Sequence, residues 1–216
     1  MAVSLPNGTT MSLAKTYGAS IAVTEVSNAK PAVCTAAAHG LQDGDLVEVT
    51  SSWSKLNNRV FRVSASAAGT FALEGTDTTN AAMFRPGAAR VSVREIETLE
   101  QITQVLESTS SGGEMGFTEV AFLEDDFASQ LPTQASAQSI ALNIADDPAL
   151  PGYIAIKAAA ESRSSRALVA ALPSGSLILY NTIVSLNETP TFTKNQVMAV
   201  TATFSLKTPP VRYAAQ

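Results

Sequence analysis

The chain has 216 residues, of which 45% are hydrophobic, and its formal net charge is −5. This composition predicts a folded protein with a sizeable core, as one large domain or two small ones. The single cysteine, Cys34, excludes an intrachain disulfide, and the bases do not cluster, which argues against a dedicated nucleic-acid-binding surface.

The first part of the chain predicts short strands in quick succession. Each is bounded by Gly, Asn, Asp or Pro, at a spacing typical of a small β barrel or sandwich. No run approaches roughly 18 apolar residues, and the N-terminal residues lack a basic stretch followed by an apolar one, so we expect neither a signal peptide nor a membrane span. The predicted strands cover residues 19–26, 32–36, 46–49, 60–64, 70–73 and 90–93.

The segment 93–106 is ambiguous, because its apolar residues fit a helical stripe while its Thr and Val residues favour a strand. Next, Glu107–Gly116 (ESTSSGGEMG) predicts a flexible loop, the most mobile region of the chain. An apolar strand over Phe117–Leu123 and an acidic turn over Glu124–Phe127 follow.

After a strand over Ser139–Ile144, Asp146 and Asp147 precede Pro148. This pattern supplies an N-cap and a proline in the first turn, and it predicts a helix from Pro148 to Ser162. The expected stripe, apolar with charges at its edge, comprises Leu150, Tyr153, Ile154, Lys157, Ala158 and Glu161.

The last part of the chain predicts strands over 167–172, 176–186 and 196–206, with turns over 173–175 and 187–191. The final strand alternates cleanly, with Met198, Val200, Ala202, Phe204 and Leu206 on one face. Its other face is small and semi-polar, which suits a surface that meets another subunit.

Negative charge is concentrated in residues 95–156, which contain eleven Asp and Glu residues and no Lys, Arg or His. By contrast, residues 29–93 carry six bases and five acids. A cation-free acidic face repels polyanions, yet it could line a passage through which nucleic acid slides without sticking.

The inventory of catalytic groups is thin. His39 is the sole histidine, so a histidine-rich metal site cannot form within one chain, and a local hydrogen bond in a turn is its favoured role. No Gly-Lys-Ser/Thr follows Ser111-Gly112-Gly113, so phosphate binding is unsupported. Asp125 and Asp126 could act as glycosidase carboxylates or bind calcium, but scarce aromatics and the wrong spacing favour a solvated surface. We predict no enzyme, cofactor or metal.

Three short segments carry a resemblance: HGLQDGDLV at 39–47, LNNRVFRV at 56–63 and GTFAL at 69–73. They resemble a small β module that recurs in bacteriophage tail and baseplate proteins, with the pattern H-G-L-x-x-G-D-x-V, L-N-x-x-x-F-x-V and T-F-x-L. The match covers about residues 30–93, and its expected core residues are Leu46, Val60, Phe61, Phe71 and Leu73.

The remaining residues, 12–28 with 94–216, resemble a major tail tube protein of long-tailed (siphovirus-like) bacteriophages in the order of their features. The resemblance implies a mainly β fold: a tail-tube β sandwich or barrel with one flanking α-helix, plus a small inserted all-β module. We therefore expect a discontinuous tube domain over 1–28 and 94–216. The inserted module, over 29–93, would lie outside the tube, which is a departure because many tube proteins carry extra domains at the C-terminus or none.

The family implies a virion structural protein, assembled in the host cytoplasm, that forms stacked hexameric rings of the tail tube. Its expected partners are further copies of itself, the tape measure protein, the tail terminator and the distal baseplate protein. Double-stranded DNA would pass transiently through an anionic lumen, without specific binding and without membrane insertion.

Two sets of residues are assigned roles on this basis. The first is a loop expected to reach the adjacent ring: Ser108, Ser110, Ser111, Gly112, Gly113, Glu114 and Gly116. The second comprises the acids expected to face the lumen: Glu119, Glu124, Asp125 and Asp126.

Three alternatives stay open. The chain could be a phage adhesin that binds a receptor or carbohydrate through the small module, or the inner tube of a contractile injection system. The third is a carboxylate hydrolase, whose turnover would disappear when Asp125 or Asp126 becomes Asn.

Overall fold

The computed structural model describes residues 7–87 and 89–215. The first six residues of the predicted tube domain and Ala88 of the predicted module lie outside the described residues, as does most of the N-terminal stretch considered for a signal peptide. The fold is mainly β with one α-helix, which confirms the predicted fold class. Within the described part of the chain, no helix has the length and hydrophobicity to cross a membrane.

Sixteen strands and one helix lie in the described residues. The first eight strands are β1 Thr10–Tyr17, β2 Ile21–Val23, β3 Glu25–Val26, β4 Ala32–Thr35, β5 Leu46–Ser51, β6 Arg59–Ala67, β7 Thr70–Leu73 and β8 Val91–Ile102. The others are β9 Val105–Ser111, β10 Met115–Val120, β11 Ser129–Ala135, β12 Ser139–Ala145, β13 Ser165–Ala171, β14 Leu177–Thr191, β15 Ala199–Leu206 and β16 Val211–Tyr213, with helix α1 at Pro151–Ser162.

Fourteen of these strands form one antiparallel sheet, in the order β3-β4-β7-β6-β5-β8-β1-β13-β14-β15-β12-β9, with β16 on β14 and β2 on β8. The long strand β8 joins its two parts, because residues 91–95 pair with β5 and residues 96–102 pair with β1. The predicted boundary at 93/94 thus falls within a strand, and the division into two domains stays a prediction.

Three clusters of buried side chains form the core. The first draws its fully buried members from residues 23–93 and includes Phe61, Phe71 and Leu73, as predicted, while Leu46 is only half-buried. The second lies beneath α1 and contains the predicted inward residues Val200, Ala202 and Phe204. The third joins the two and includes Val60.

Several predicted elements differ from the structure. The ambiguous segment 93–106 forms the end of β8 and the start of β9, separated at residues 103–104. The turn predicted over 187–191 is wrong because β14 continues to Thr191 against β15. The flexible loop predicted over Glu107–Gly116 is also wrong: β9 runs to Ser111 and β10 starts at Met115, leaving only three residues between them. Strand pairing with β12 supplies the backbone partners that the Ser-rich sequence alone does not reveal.

The predicted helix exists but starts three residues late. It begins at Pro151, its N-cap residue is Leu150, and no side chain caps it; Asp147 instead accepts a hydrogen bond from the Ala149 backbone N–H. Its buried residues are Gly152, Tyr153, Ile156 and Ala159, so the predicted inward position of Ile154 is wrong, and that side chain is 55% exposed.

Candidate assembly surfaces

The sole histidine has a structural role. His39 is buried, and its Nδ1 accepts a hydrogen bond from the Leu41 backbone N–H at 3.1 Å. This leaves the proton on Nε2, which donates to the Ala67 carbonyl at 2.7 Å. The predicted local hydrogen bond in the turn is therefore confirmed. Among residues 7–87 and 89–215, no three His, Cys, Asp or Glu side chains are grouped so that they could hold a metal ion.

Strands β10 and β11 form a separate two-stranded hairpin, which with its tip at 121–128 we call the arm. Of residues 115–135, none is buried and all except Gly116 and Val120 are exposed. A two-stranded hairpin without a packing partner is marginally stable in water. The arm therefore needs a surface to pack against that its own chain does not supply.

Large apolar side chains lie exposed along the arm. Such a concentration is unusual on a soluble monomer and marks an interaction surface. Leu123 at the tip has no cover at all, and Phe127 is 86% exposed. The full set is Met115, Phe117, Phe122, Leu123, Phe127 and Leu131.

The base of the arm is fixed by two glycines and a serine. A Cβ at Gly112 would lie 1.9 Å from the Ala137 carbonyl oxygen, and Gly112 has a φ of +79°, so only glycine fits. The Ser136 hydroxyl accepts hydrogen bonds from the backbone N–H groups of Gly113 and Glu114. These contacts fix the point at which the backbone leaves the sheet, and we call this point, at Gly112 and Ser136, the crossing.

The residues predicted for ring stacking are divided between two elements and the turn that joins them. Ser108, Ser110 and Ser111 belong to β9, while Gly116 belongs to β10. The Ser111 hydroxyl lies 2.9 Å from that of Ser139 on β12. The intervening turn comprises Gly112, Gly113 and Glu114.

The four acids predicted to face a lumen all lie on the arm and are exposed. Glu119 is on β10, whereas Glu124, Asp125 and Asp126 form the tip. Asp125 closes the tip turn, since its carboxylate accepts a hydrogen bond of 2.9 Å from the Phe122 backbone N–H.

A second surface is the side of strands β9, β12, β15 and β14 that faces away from α1, which we call the open face. The strand registers place small and hydroxyl side chains side by side across it. Its carboxylate is Glu107, whose Oε2 lies 3.4 Å from Asn143 Nδ2, and it contains no base. Its members are Glu107, Thr109, Ser111, Ser139, Ala141, Asn143, Ala145, Ile183, Ser185, Asn187, Ala199, Thr201, Thr203 and Ser205.

The same four strands end in two open edges. β9 is last in the sheet order and pairs only with β12 among the described strands. At the other side, the pairing of β14 with β13 stops at Ile183, so residues 184–191 have β15 as their one strand partner among the described residues. Exposed strand edges are templates for pairing with another chain.

Buried polar groups hold the sheet together where residues 29–93 meet the closing strands. Glu48, only 4% exposed, accepts hydrogen bonds from Arg94 at 2.6 Å and from the Asn181 amide at 2.8 Å. Nearby, the Tyr17 hydroxyl accepts from the Ala167 backbone N–H, and burial raises the pKa of Tyr17 to about 12. Because these buried polar groups are hydrogen-bonded to one another, we infer that residues 29–93 are held firmly against the closing strands of the sheet.

A family model described as phage tail tube protein matches residues 51–215. No curated protein matches the chain.

Proposed function

This chain belongs to the phage tail tube protein family, and from that premise we propose that it assembles into stacked hexameric rings that form the conduit for DNA. Membership makes the chain a structural, non-enzymatic component of the virion tail that self-associates into a tube and meets other tail proteins. The proposal adds the hexameric ring, the channel at its centre and the passage of DNA through that channel. It also includes the tape measure protein, the tail terminator and the distal baseplate protein as contacts.

The arm is the observation that carries the proposal. It exposes six large apolar side chains, and none of its residues is buried. Covering these side chains would stabilise an assembly by about 25 cal/mol for each Å² of apolar surface removed from water. A subunit that offers this much apolar surface on a projecting hairpin is suited to bind a neighbour.

The two open edges support closure within one ring. An edge at β9 and an edge at residues 184–191 lie on opposite sides of the same four-stranded unit. Head-to-tail pairing of one edge with the other repeats without limit and closes into a ring when the rotation allows it. Backbone hydrogen bonds would then run continuously around the channel.

We assign the channel wall to the open face and the arm acids to contacts between subunits. The open face presents hydroxyls, small side chains, two asparagines, Ile183 and Glu107, with no base to hold phosphate. Six copies would give one circle of carboxylates per ring, which repels DNA and lets it slide. Residues 29–93, with their near-balanced charge, would decorate the outside.

Removal of the arm tests the proposal. In the test variant, residues 115–135 are replaced by a short Gly-Ser link, while the crossing at Gly112 and Ser136 is kept. We expect the wild-type protein to sediment as rings and tubes and the variant to remain monomeric or in single rings, with unchanged circular dichroism of the sheet. A wild-type protein that stays monomeric would overturn the proposal.

A further inference from the structure

A shallow groove of about 220 Å³ runs between helix α1 and strand β1. Its floor is apolar and formed by small side chains, with Ile154 as the one large apolar group, 55% exposed. Lys15 and Arg166 border it, and none of the lining residues is an acid, although Lys15 Nζ lies 3.1 Å from Glu100 Oε2 outside the groove. The full lining is Ala14, Lys15, Pro151, Ile154, Ala155, Ala158, Ala159 and Arg166.

The tip of the arm has the opposite chemistry. It presents three exposed apolar side chains, Phe122, Leu123 and Phe127, around three consecutive carboxylates at residues 124–126. The whole segment from Glu95 to Ile156 contains no base, so nothing along the arm's own strands neutralises these acids. A partner surface for the tip must be apolar at its centre and basic at its rim.

We propose that the arm tip of one copy docks into the α1–β1 groove of a neighbouring copy. This inference rests on the proposed function, since it names the receptor for an arm already assigned to contacts between subunits. The apolar tip side chains cover Ile154 and the alanines of α1, and the tip carboxylates meet Lys15 and Arg166 at the rim. The tip is exposed in the folded chain, so the groove that it fills belongs to another copy.

A rival receptor lies on the loop between β14 and β15, where Phe192, Val197 and Met198 are exposed. The loop carries one base, Lys194, but two acids lie beside it, so its charge is less favourable for the tip than that of the groove. Glu107 lines the same recess as Val197, and a second acid, Asp146, donates its backbone N–H to the Met198 carbonyl. Like charges brought together at an interface suppress that pairing, so the basic rim of the groove selects the acidic tip.

Site-directed cross-linking distinguishes the two receptors. One population of the full chain carries Leu123→Cys, and a second, with a mass tag, carries Ile154→Cys or Val197→Cys. The native Cys34 is 0% exposed, and burial raises the pKa of its thiol to about 12, so it stays unreactive. The populations are mixed before assembly, treated with a short thiol cross-linker and resolved by size.

We expect the Leu123→Cys chain to form a cross-linked heterodimer with the Ile154→Cys chain. We expect no heterodimer with the Val197→Cys chain. Tubes whose tip cross-links to position 197, or to neither position, overturn the groove while leaving the tube intact. A wild-type protein that forms no rings or tubes overturns the proposed function and the docking together.

Exchange of the charges at Glu124 and Lys15 tests the proposed docking independently. Glu124→Lys and Lys15→Glu should each cause loss of sedimentable tube at low salt, and the double variant should restore it. Thermal melting of each variant confirms folding, because the Lys15–Glu100 pair lost in Lys15→Glu is exposed and contributes little to stability. Two single variants that assemble like the wild-type protein overturn the proposed pairing.

Discussion

Tyr213 and Arg62 lie 151 residues apart in sequence, and the Tyr213 hydroxyl accepts a 2.9 Å hydrogen bond from the Arg62 backbone N–H. The same hydroxyl donates to the Glu74 carbonyl at 3.3 Å, and the Arg62 guanidinium lies 4.6 Å from the ring centre. Since β16 also pairs with β14, this tyrosine ties residues 59–74 to the closing strands of the sheet.

Replacement of Tyr213 by Phe should therefore lower the free energy of unfolding by about 1–3 kcal/mol, because it leaves the buried Arg62 N–H without an acceptor. Urea denaturation measures the change. Tyr180→Phe is the control, as its hydroxyl makes no hydrogen bond to the described residues, and it should shift the midpoint little. Equal effects of the two variants would contradict the role assigned to Tyr213.

Glu48→Gln should cost roughly 1.5–3 kcal/mol, since the buried carboxylate accepts charge-assisted or amide hydrogen bonds from Arg94 and Asn181. The matched control is Glu100→Gln, which removes the exposed pair with Lys15 and should cost less than about 1 kcal/mol. Both values come from chemical denaturation. If Glu100→Gln lowered the free energy of unfolding as much as Glu48→Gln, the buried hydrogen bonds of Glu48 would contribute no more to stability than the exposed ion pair.

Gly152→Ala should destabilise the protein by about 1–3 kcal/mol, the usual cost of forcing extra volume into a packed site. The added Cβ would lie 2.6 Å from the Gln101 carbonyl oxygen, where α1 packs on β8. Gly69→Ala is the control, with nothing within 4 Å of its Cβ. The midpoint of thermal unfolding should fall for the first variant only.

Stability should decline at alkaline pH, and part of the decline comes from Tyr17. Burial raises its folded pKa from 10.0 to about 12, so its contribution is complete below pH 10 and is lost as the pH rises to 12. Two pKa units correspond to roughly 2–3 kcal/mol. Denaturation at pH 9 and pH 12 should show a smaller decline for Tyr17→Phe, and an unchanged decline would refute this assignment.

Alternation of apolar residues predicted much of the core from sequence. The inward positions Val200, Ala202 and Phe204 are buried because a period of two fixes which face of a strand meets the core. The same reasoning failed for the end of β14, where Asn187 and Pro190 suggest a turn. There the cross-strand partner β15 overrides local propensity.

The arm could be predicted only in part. The run Phe117–Leu123 indicates an apolar strand, yet periodicity does not reveal whether a strand finds a partner within its own chain. The predicted loop at 107–116 failed for a related reason, since its Ser- and Gly-rich composition does not reveal that residues 105–111 pair with β12. The sequence thus did not reveal the projecting hairpin that carries Glu119, Glu124, Asp125 and Asp126, and their position towards a lumen stays a prediction.

Electron cryo-microscopy of the purified protein tests the central claim most directly. The account predicts stacked six-fold rings around a continuous channel, with the face of Glu107 and Thr201 towards the lumen and each arm tip against Ile154 of another subunit. Discrete trimers without a channel, as an adhesin would form, would contradict it.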